Sequence, residues 1–381
     1  MQRLLPHAWP AISWWLLFLL AACASPEQHH AANGGTAQSS ENQVGSSDGS
    51  VIAMETDGGS KPVLFLAGGL SRPVADEVIA EAPNLKVVHP KSAQEALELA
   101  PMAHGIEVRW ATPDFLQKAD KLRWVQATSA GVDRYLSNSD LMKNDQIVFT
   151  NMQGMHGPTI ADHVFAMLLM LTRDLRVHAQ DQNRGQWQRQ GSGHMTPVAL
   201  QGRTMLVVGL GGIGREVAKR AKGFGMTVWA TKRRATEPPP YVDRQETSEK
   251  LMELLPNADV VVLCMPLTDQ TRGMINADAF AVMKKGSYLV NIARGPVVDT
   301  DAMMSALQDG TLAGAGLDVT DPEPLPEDHP LWQLDNIIIT PHVAARSTLT
   351  REDWRNLYAE NLRRFALGEP LLNVVDKTVG Y

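Results

Sequence analysis

The sequence predicts an α/β protein made of two doubly wound parallel-sheet domains. Three observations carry this expectation. Short apolar runs of strand length alternate with stretches of helical periodicity. A second series of six such runs begins at Thr204. A glycine-rich hexapeptide, Gly209 to Gly214, stands between the first strand of that series and the helix after it.

Order is expected from about Pro62. Val63-Leu64-Phe65-Leu66 is a short apolar run closed by Gly68-Gly69, which reads as a buried strand. Comparable runs follow at Lys86-Val87-Val88, Gly105 to Val108 and Ile147-Val148-Phe149, with helical stretches such as Ala93 to Leu99 between them. A long helix is expected from Pro158 to about Leu175. Ile160, Val164, Met167, Leu168 and Leu171 form its apolar stripe, and the proline suits its first turn. The second series runs Met205 to Val208, Thr227 to Ala230, Val260 to Leu263, Tyr288 to Ile292, Ala315 to Val319 and Ile337 to Ile339. A last helix, from about Ser347 to Leu367, has no strand after it and is expected to pack elsewhere.

The chain has 381 residues, room for two domains, and its 44% hydrophobic and 20% charged content is that of a globular protein. A net charge of -7 argues against a broad phosphate-binding surface and so against nucleic acid as a partner. The two cysteines, Cys23 and Cys264, sit in unlike contexts and indicate no disulfide framework. Cys264 follows an apolar strand and reads as buried or near the cofactor pocket, not as a nucleophile.

The first 61 residues read as separate from the fold. Met1 to Ala22 has a basic start at Arg3 and an apolar stretch from Ala11, too short to span a bilayer comfortably, as in an export signal. It ends in Leu20-Ala21-Ala22-Cys23, which resembles the lipobox of bacterial lipoproteins, where the cysteine is lipidated. Residues 23 to 61 are rich in Ser, Gly, Asn, Gln and Ala and read as a flexible tether. The bland alternatives are a fortuitous apolar start and a simple disordered tail. His29 and His30 are read as incidental, and no metal site is expected.

Gly209-Leu210-Gly211-Gly212-Ile213-Gly214 has the spacing of a dinucleotide-binding turn. Gly209 permits the tight turn, Gly211 admits a pyrophosphate against the backbone, and Gly214 allows close packing of helix on sheet. The helix N-terminus then offers free N–H groups and a favourable dipole. A Rossmann-type cofactor domain follows. Its second strand leads into Lys232-Arg233-Arg234, where an acid would bind an adenosine ribose. Three cations suit a 2′-phosphate, so NADP is expected over NAD, the alternative being a solvated basic turn.

Arg294, Glu323 and His342 stand at or beyond the ends of later strands, the edge that faces the ligand crevice in an open parallel sheet. Together with Ser129-Ala130-Gly131-Val132-Asp133, His156-Gly157-Pro158, Ala293-Arg294-Gly295, Asp318-Val319 with Glu323-Pro324, and Pro341-His342, they make the chain resemble the D-isomer-specific 2-hydroxyacid dehydrogenases, in particular glyoxylate/hydroxypyruvate reductase-like members. The resemblance covers the chain from about Pro62 onward. It implies hydride transfer between NAD(P)H and a small 2-keto or 2-hydroxy acid, and a homodimer. It also implies a flavodoxin-like substrate domain split into residues 62–155 and 346–381 around a cofactor domain of residues 156–345; with the chain ending soon after the last helix, no regulatory domain is expected to follow. Arg294 is then expected to grip the substrate carboxylate and polarise its keto oxygen. His342 is expected to exchange a proton with that oxygen, and Glu323 to hold the imidazole and favour its charged form. The resemblance makes the N–H groups of Ala130 and Gly131 a second carboxylate clamp. It places Asp318 near the nicotinamide, with Ile292 and Ala293 among the cofactor contacts. Asp133 and Asp162 are read as structural.

The export signal and the cofactor pull in opposite directions, because nicotinamide nucleotides are concentrated in the cytosol. Three expectations remain open. The first is a reductase tethered in the cell envelope by lipid at Cys23. The second is a lipid-anchored dinucleotide-binding or interaction module without turnover. The third is a cytoplasmic enzyme started internally, for example at Met54.

Overall fold

The structure is a computed structural model that describes residues 62–68, 72–189, 196–234 and 236–378. The signal, the tether, Cys23 and Met54 lie outside the described residues. The rest forms two parallel sheets.

The first sheet contains β1 (Val63–Leu66), β2 (Leu85–Val88), β3 (Gly105–Glu107), β4 (Trp124–Gln126) and β5 (Val148–Thr150) in the order β2-β1-β3-β4-β5. This is the flavodoxin-like order. Successive side chains alternate between its faces. Leu66, Ile106, Val125 and Phe149 pack on one side with Phe115 and Leu141. Phe65 and Trp124 pack on the other with Tyr358, Leu362 and Phe365 of the last helix. That helix, Thr348–Leu367, is capped by the Ser347 hydroxyl, which accepts from Thr350 N at 3.0 Å, and it closes at Gly368 with φ 74°. It therefore covers the first sheet. A buried polar chain pins it there: Trp124 Nε1 donates to Thr150 Oγ1 at 2.8 Å, Thr150 donates to Gln126 Oε1 at 2.8 Å, and Asn361 Nδ2 donates to the same oxygen at 3.1 Å.

The second sheet contains β6 (Thr204–Val208), β7 (Thr227–Lys232), β8 (Arg244–Thr247), β9 (Val260–Leu263), β10 (Ser287–Asn291), β11 (Leu312–Leu317) and β12 (Ile337–Ile339). Its order is β12-β11-β10-β9-β6-β7-β8. Chain direction across the sheet reverses between β6 and β9, the position of the ligand crevice in open α/β sheets. The Gly157–Thr172 helix lays Ile160, Val164, Leu168 and Leu171 on one face of this sheet, and Met167 packs there as core.

Two strands escape the sequence reading. β4 is only three residues long and contains the buried Gln126, so it shows no apolar run. β8 is Arg-Gln-Glu-Thr, a polar edge strand without a hydrophobic signature, and it brings the second sheet to seven strands where six were expected. The long helix also ends three residues earlier than expected, at Thr172.

At the N-terminal ends of the strands, Asp259 ties the sheet together. It accepts from Thr204 N at 2.8 Å, Lys284 Nζ at 2.8 Å and Arg203 Nη1 at 3.1 Å. Burial pushes its carboxyl up, but the bonds from Lys284 and Thr204 and the charge of Arg203 outweigh burial and hold it below the usual value. A depressed carboxyl contributes stability above its unfolded pKa, about 3.9, and loses it as pH falls through the folded value. Asp259→Asn is therefore expected to cost roughly 2 kcal/mol at neutral pH. The deficit should shrink below about pH 4. Urea melts of both proteins across pH check this.

Candidate active site

The glycine turn has the geometry its spacing predicts. Gly209 sits at φ 99°, a conformation that favours glycine, and its N–H and that of Leu210 donate to Thr231 O at 3.1 and 3.0 Å. A Cβ on Gly214 would collide with Gly209 O, so only glycine lets the Gly212–Gly223 helix start this close to β6. A Cβ on Gly211 would meet nothing within 4 Å, and no side chain caps the helix there. The first turn's N–H groups thus face open space, a cradle that fits a pyrophosphate. Leu210 is buried beneath the turn, and Gly212 and Ile213 begin the helix.

The basic turn at the end of β7 has a further cation near it, Arg215, whose charge acts on Lys232. Lys232 donates to Thr236 Oγ1 at 3.3 Å, and its ammonium pKa is lowered by burial and by the charge of Arg215. Arg215 stands in the first turn of the glycine-loop helix, directly after Gly214. Its position beside the motif was the available signal. Lys232, Arg233, Arg234 and Arg215 together make this corner attractive to an anion.

Arg294, Glu323 and His342 leave the same edge of the sheet, after the adjacent strands β10, β11 and β12. Ile292 and Ala293 are buried at the end of β10. The Asn291 side chain turns the backbone there, accepting from Ala293 N at 3.0 Å and donating to Arg294 O at 3.0 Å. A Cβ on Gly295 would overlap Thr320 O, so the Arg294 loop lies directly on the loop that leads to Glu323.

His342 has φ 52°, unusual for a residue with a Cβ. Its Nδ1 lies 2.7 Å from Glu323 Oε1. A carboxylate only accepts, so the ring donates from Nδ1 and leaves Nε2 for a substrate. Both groups are half-exposed. Asp318, by contrast, is buried, and its oxygens are taken up within the chain. Oδ1 accepts from Thr340 Oγ1 at 2.6 Å and Val343 N at 2.9 Å, and Oδ2 accepts from Ala344 N at 3.0 Å. His163 Nε2 lies 2.9 Å from Thr340 Oγ1. Asp318 therefore organises the loop that carries His342. Thr340 and His163 belong to that network, and neither stood out in the sequence.

The first sheet contributes through the loop after β4. Ala130 O accepts from Asn151 Nδ2 at 2.9 Å, and a Cβ on Gly131 would overlap the Arg294 guanidinium. The expected backbone clamp and the expected arginine thus meet. Asp133, read as a structural acid, pairs with that arginine: Arg294 donates to Asp133 Oδ1 from Nε at 3.1 Å and from Nη2 at 2.9 Å. Asp162 pairs with Arg220 at 2.7 Å, joining the Gly157–Thr172 helix to the glycine-loop helix, as a structural acid would. Cys264 keeps some exposed surface, and burial pushes its thiol pKa up, which disfavours the nucleophilic thiolate.

Residues 165–344 match the model of the D-isomer specific 2-hydroxyacid dehydrogenase NAD binding domain. A glyoxylate reductase of Pyrococcus horikoshii is 37% identical over 274 residues, 70% of this chain and 80% of the relative. The chain belongs to the D-isomer specific 2-hydroxyacid dehydrogenase family. Solved structures agree with the fold of this dehydrogenase. A family member from Aeromonas salmonicida superimposes with TM-score 0.72 at 33% identity, over 84% of this chain and 100% of the other. One from Xanthobacter autotrophicus, solved with NADPH and MES, gives TM-score 0.69 at 29% identity over 84% and 100% of the two chains.

The two glycines separate packing from ligand contact. Gly214→Ala is expected to lower stability by about 1–3 kcal/mol, because backbone must shift. Gly211→Ala should leave the melting temperature almost unchanged and still weaken NADPH binding, because its Cβ enters only the open cradle. Thermal melts beside cofactor fluorescence titrations read both.

Proposed function

We propose that this protein reduces a small 2-keto acid of the glyoxylate or hydroxypyruvate kind to the D-2-hydroxy acid, with NADPH preferred over NADH. The observation that supports this best is the meeting of Arg294 with Gly131 from the other sheet, beside a histidine–carboxylate pair on neighbouring strand ends. In this reading the first sheet with the last helix acts as the substrate domain and the second sheet as the cofactor domain. NADPH, when bound, supplies the hydride to the keto carbon.

The chain's own residues do the rest. Arg294 binds the substrate carboxylate and draws charge onto the keto oxygen. The N–H groups of Ala130 and Gly131 hold the carboxylate from the opposite side. His342 Nε2 donates the proton that completes the hydroxyl, and Glu323 keeps the ring in register through Nδ1. Asp318 holds the His342 loop while this happens. The Arg215, Lys232, Arg233 and Arg234 corner takes the 2′-phosphate.

The purified full-length protein is expected to oxidise NADPH when given glyoxylate or hydroxypyruvate. His342→Gln should lower kcat about 10²–10⁴-fold and leave NADPH affinity unchanged. Arg233→Gln combined with Arg234→Gln should cut kcat/KM about tenfold or more with NADPH and far less with NADH. If no 2-keto acid supports oxidation, the enzymatic reading fails and the dinucleotide-binding module takes its place.

We also propose a homodimer held at the cell envelope by lipid on Cys23. The lipobox-like Leu20-Ala21-Ala22-Cys23 and the polar stretch behind it support the lipid anchor, and the family resemblance supports the dimer. Metabolic labelling with a fatty acid should mark the wild type and not Cys23→Ser, and the label should fractionate with membranes. An unlabelled, freely soluble wild type would point to the cytoplasmic alternative.

A further inference from the structure

We infer that Asp133 is a positioning residue that aims Arg294 at the substrate carboxylate, an inference that rests on the 2-keto-acid reading above. Asp133 opens a short 3-10 turn two residues after Gly131, in the loop that follows β4. Arg294 comes from the end of β10 in the other sheet. One carboxylate oxygen of Asp133 receives both Nε and Nη2 of the guanidinium, at 3.1 and 2.9 Å. Nη1 donates to Ala293 O at 2.7 Å. These three contacts fix the plane of the guanidinium from two directions.

The donor inventory shows what remains. A guanidinium carries five N–H groups. Asp133 and Ala293 take one each from Nε, Nη2 and Nη1. Among the described residues, one hydrogen on Nη1 and one on Nη2 are left over, and a carboxylate can receive two parallel donors of that kind. An arginine without this hold spreads its long side chain over several rotamers and loses entropy on each binding event. Asp133 removes that loss before the substrate arrives. It does so from the same loop as the Ala130–Gly131 clamp, so side-chain and backbone donors are set at a fixed spacing. The side chains of Asp133 and Arg294 are 32% and 27% exposed, enough for a ligand to reach the pair.

The test uses the full-length protein with Asp133→Ala, Asp133→Asn, Arg294→Ala and the Asp133→Ala/Arg294→Ala double variant. Two readouts are followed: turnover of glyoxylate with NADPH, and calorimetric binding of oxalate to the NADP-loaded protein. Asp133→Ala is expected to raise KM for glyoxylate and Kd for oxalate about tenfold or more, with a smaller change in kcat and none in NADPH affinity. Asp133→Asn keeps an acceptor oxygen and should recover most of the loss. In the Arg294→Ala background, removing Asp133 should add nothing, because it acts through the arginine.

A wild type that turns over glyoxylate, with Asp133→Ala equal to it in KM and oxalate affinity, overturns the positioning role and leaves the enzyme reading standing. A full further loss in the Arg294→Ala background also overturns it. Oxalate binding that depends on Asp133 without turnover of any keto acid supports the positioning role and sinks the enzyme reading. Neither binding nor turnover sinks both. Melting temperatures of all four variants identify any loss that comes from unfolding.

Discussion

All the chemistry stands on one constraint: in a parallel sheet every strand ends on the same edge. β6, β10 and β12 are far apart in sequence, yet the loops after them share one rim of the second sheet. The right-handed crossovers that make strands parallel also force their carboxyl ends to converge. The glycine turn lies where chain direction across the sheet reverses. Arg294, Glu323 and His342 follow along the same rim. An antiparallel sheet of the same composition would send half of these loops to the opposite side.

The rim alone does not orient side chains. Buried polar groups below it do. Asn291 bends the chain into Arg294, and Gly295 lets that loop lie against the one that carries Glu323. The Asp318 carboxylate gathers Thr340, Val343 and Ala344 and holds His342 at a positive φ. A buried carboxylate is stable only when its lone pairs are met, so this loop has little freedom to take another shape. The half-exposed reactive groups stand on fully engaged buried ones. Rigidity lies underneath and access on top, as a site that must bind and release a ligand requires.

A second contact joins the two sheets at this rim. Gly131 lies against the Arg294 guanidinium, and Asp133 holds its edge. The last helix contributes from a distance. Its Tyr358, Phe365 and Asn361 pack on β1, β3 and β4, and that packing sets where the loop after β4 emerges.

By itself the sequence determined the fold class, most of the strands, the glycine turn and the three ionisable groups on the rim. Each of these has a local signal: an apolar run, a fixed glycine spacing, or a charged residue placed just past a strand. It missed β4 and β8, because one is short with a buried glutamine and the other is a polar edge without burial to pattern it. It gave no sign that Asp133 pairs with Arg294, and it passed over Arg215, His163 and Thr340. Their importance lies in partners 161, 17, 177 and 22 residues away or more, as in Asp133 with Arg294 and Thr340 with Asp318. Tertiary structure alone decided those pairings. Sequence spacing records which side chains share a strand or a helix face, whereas the crossing of two sheets brings an aspartate from one onto an arginine from the other.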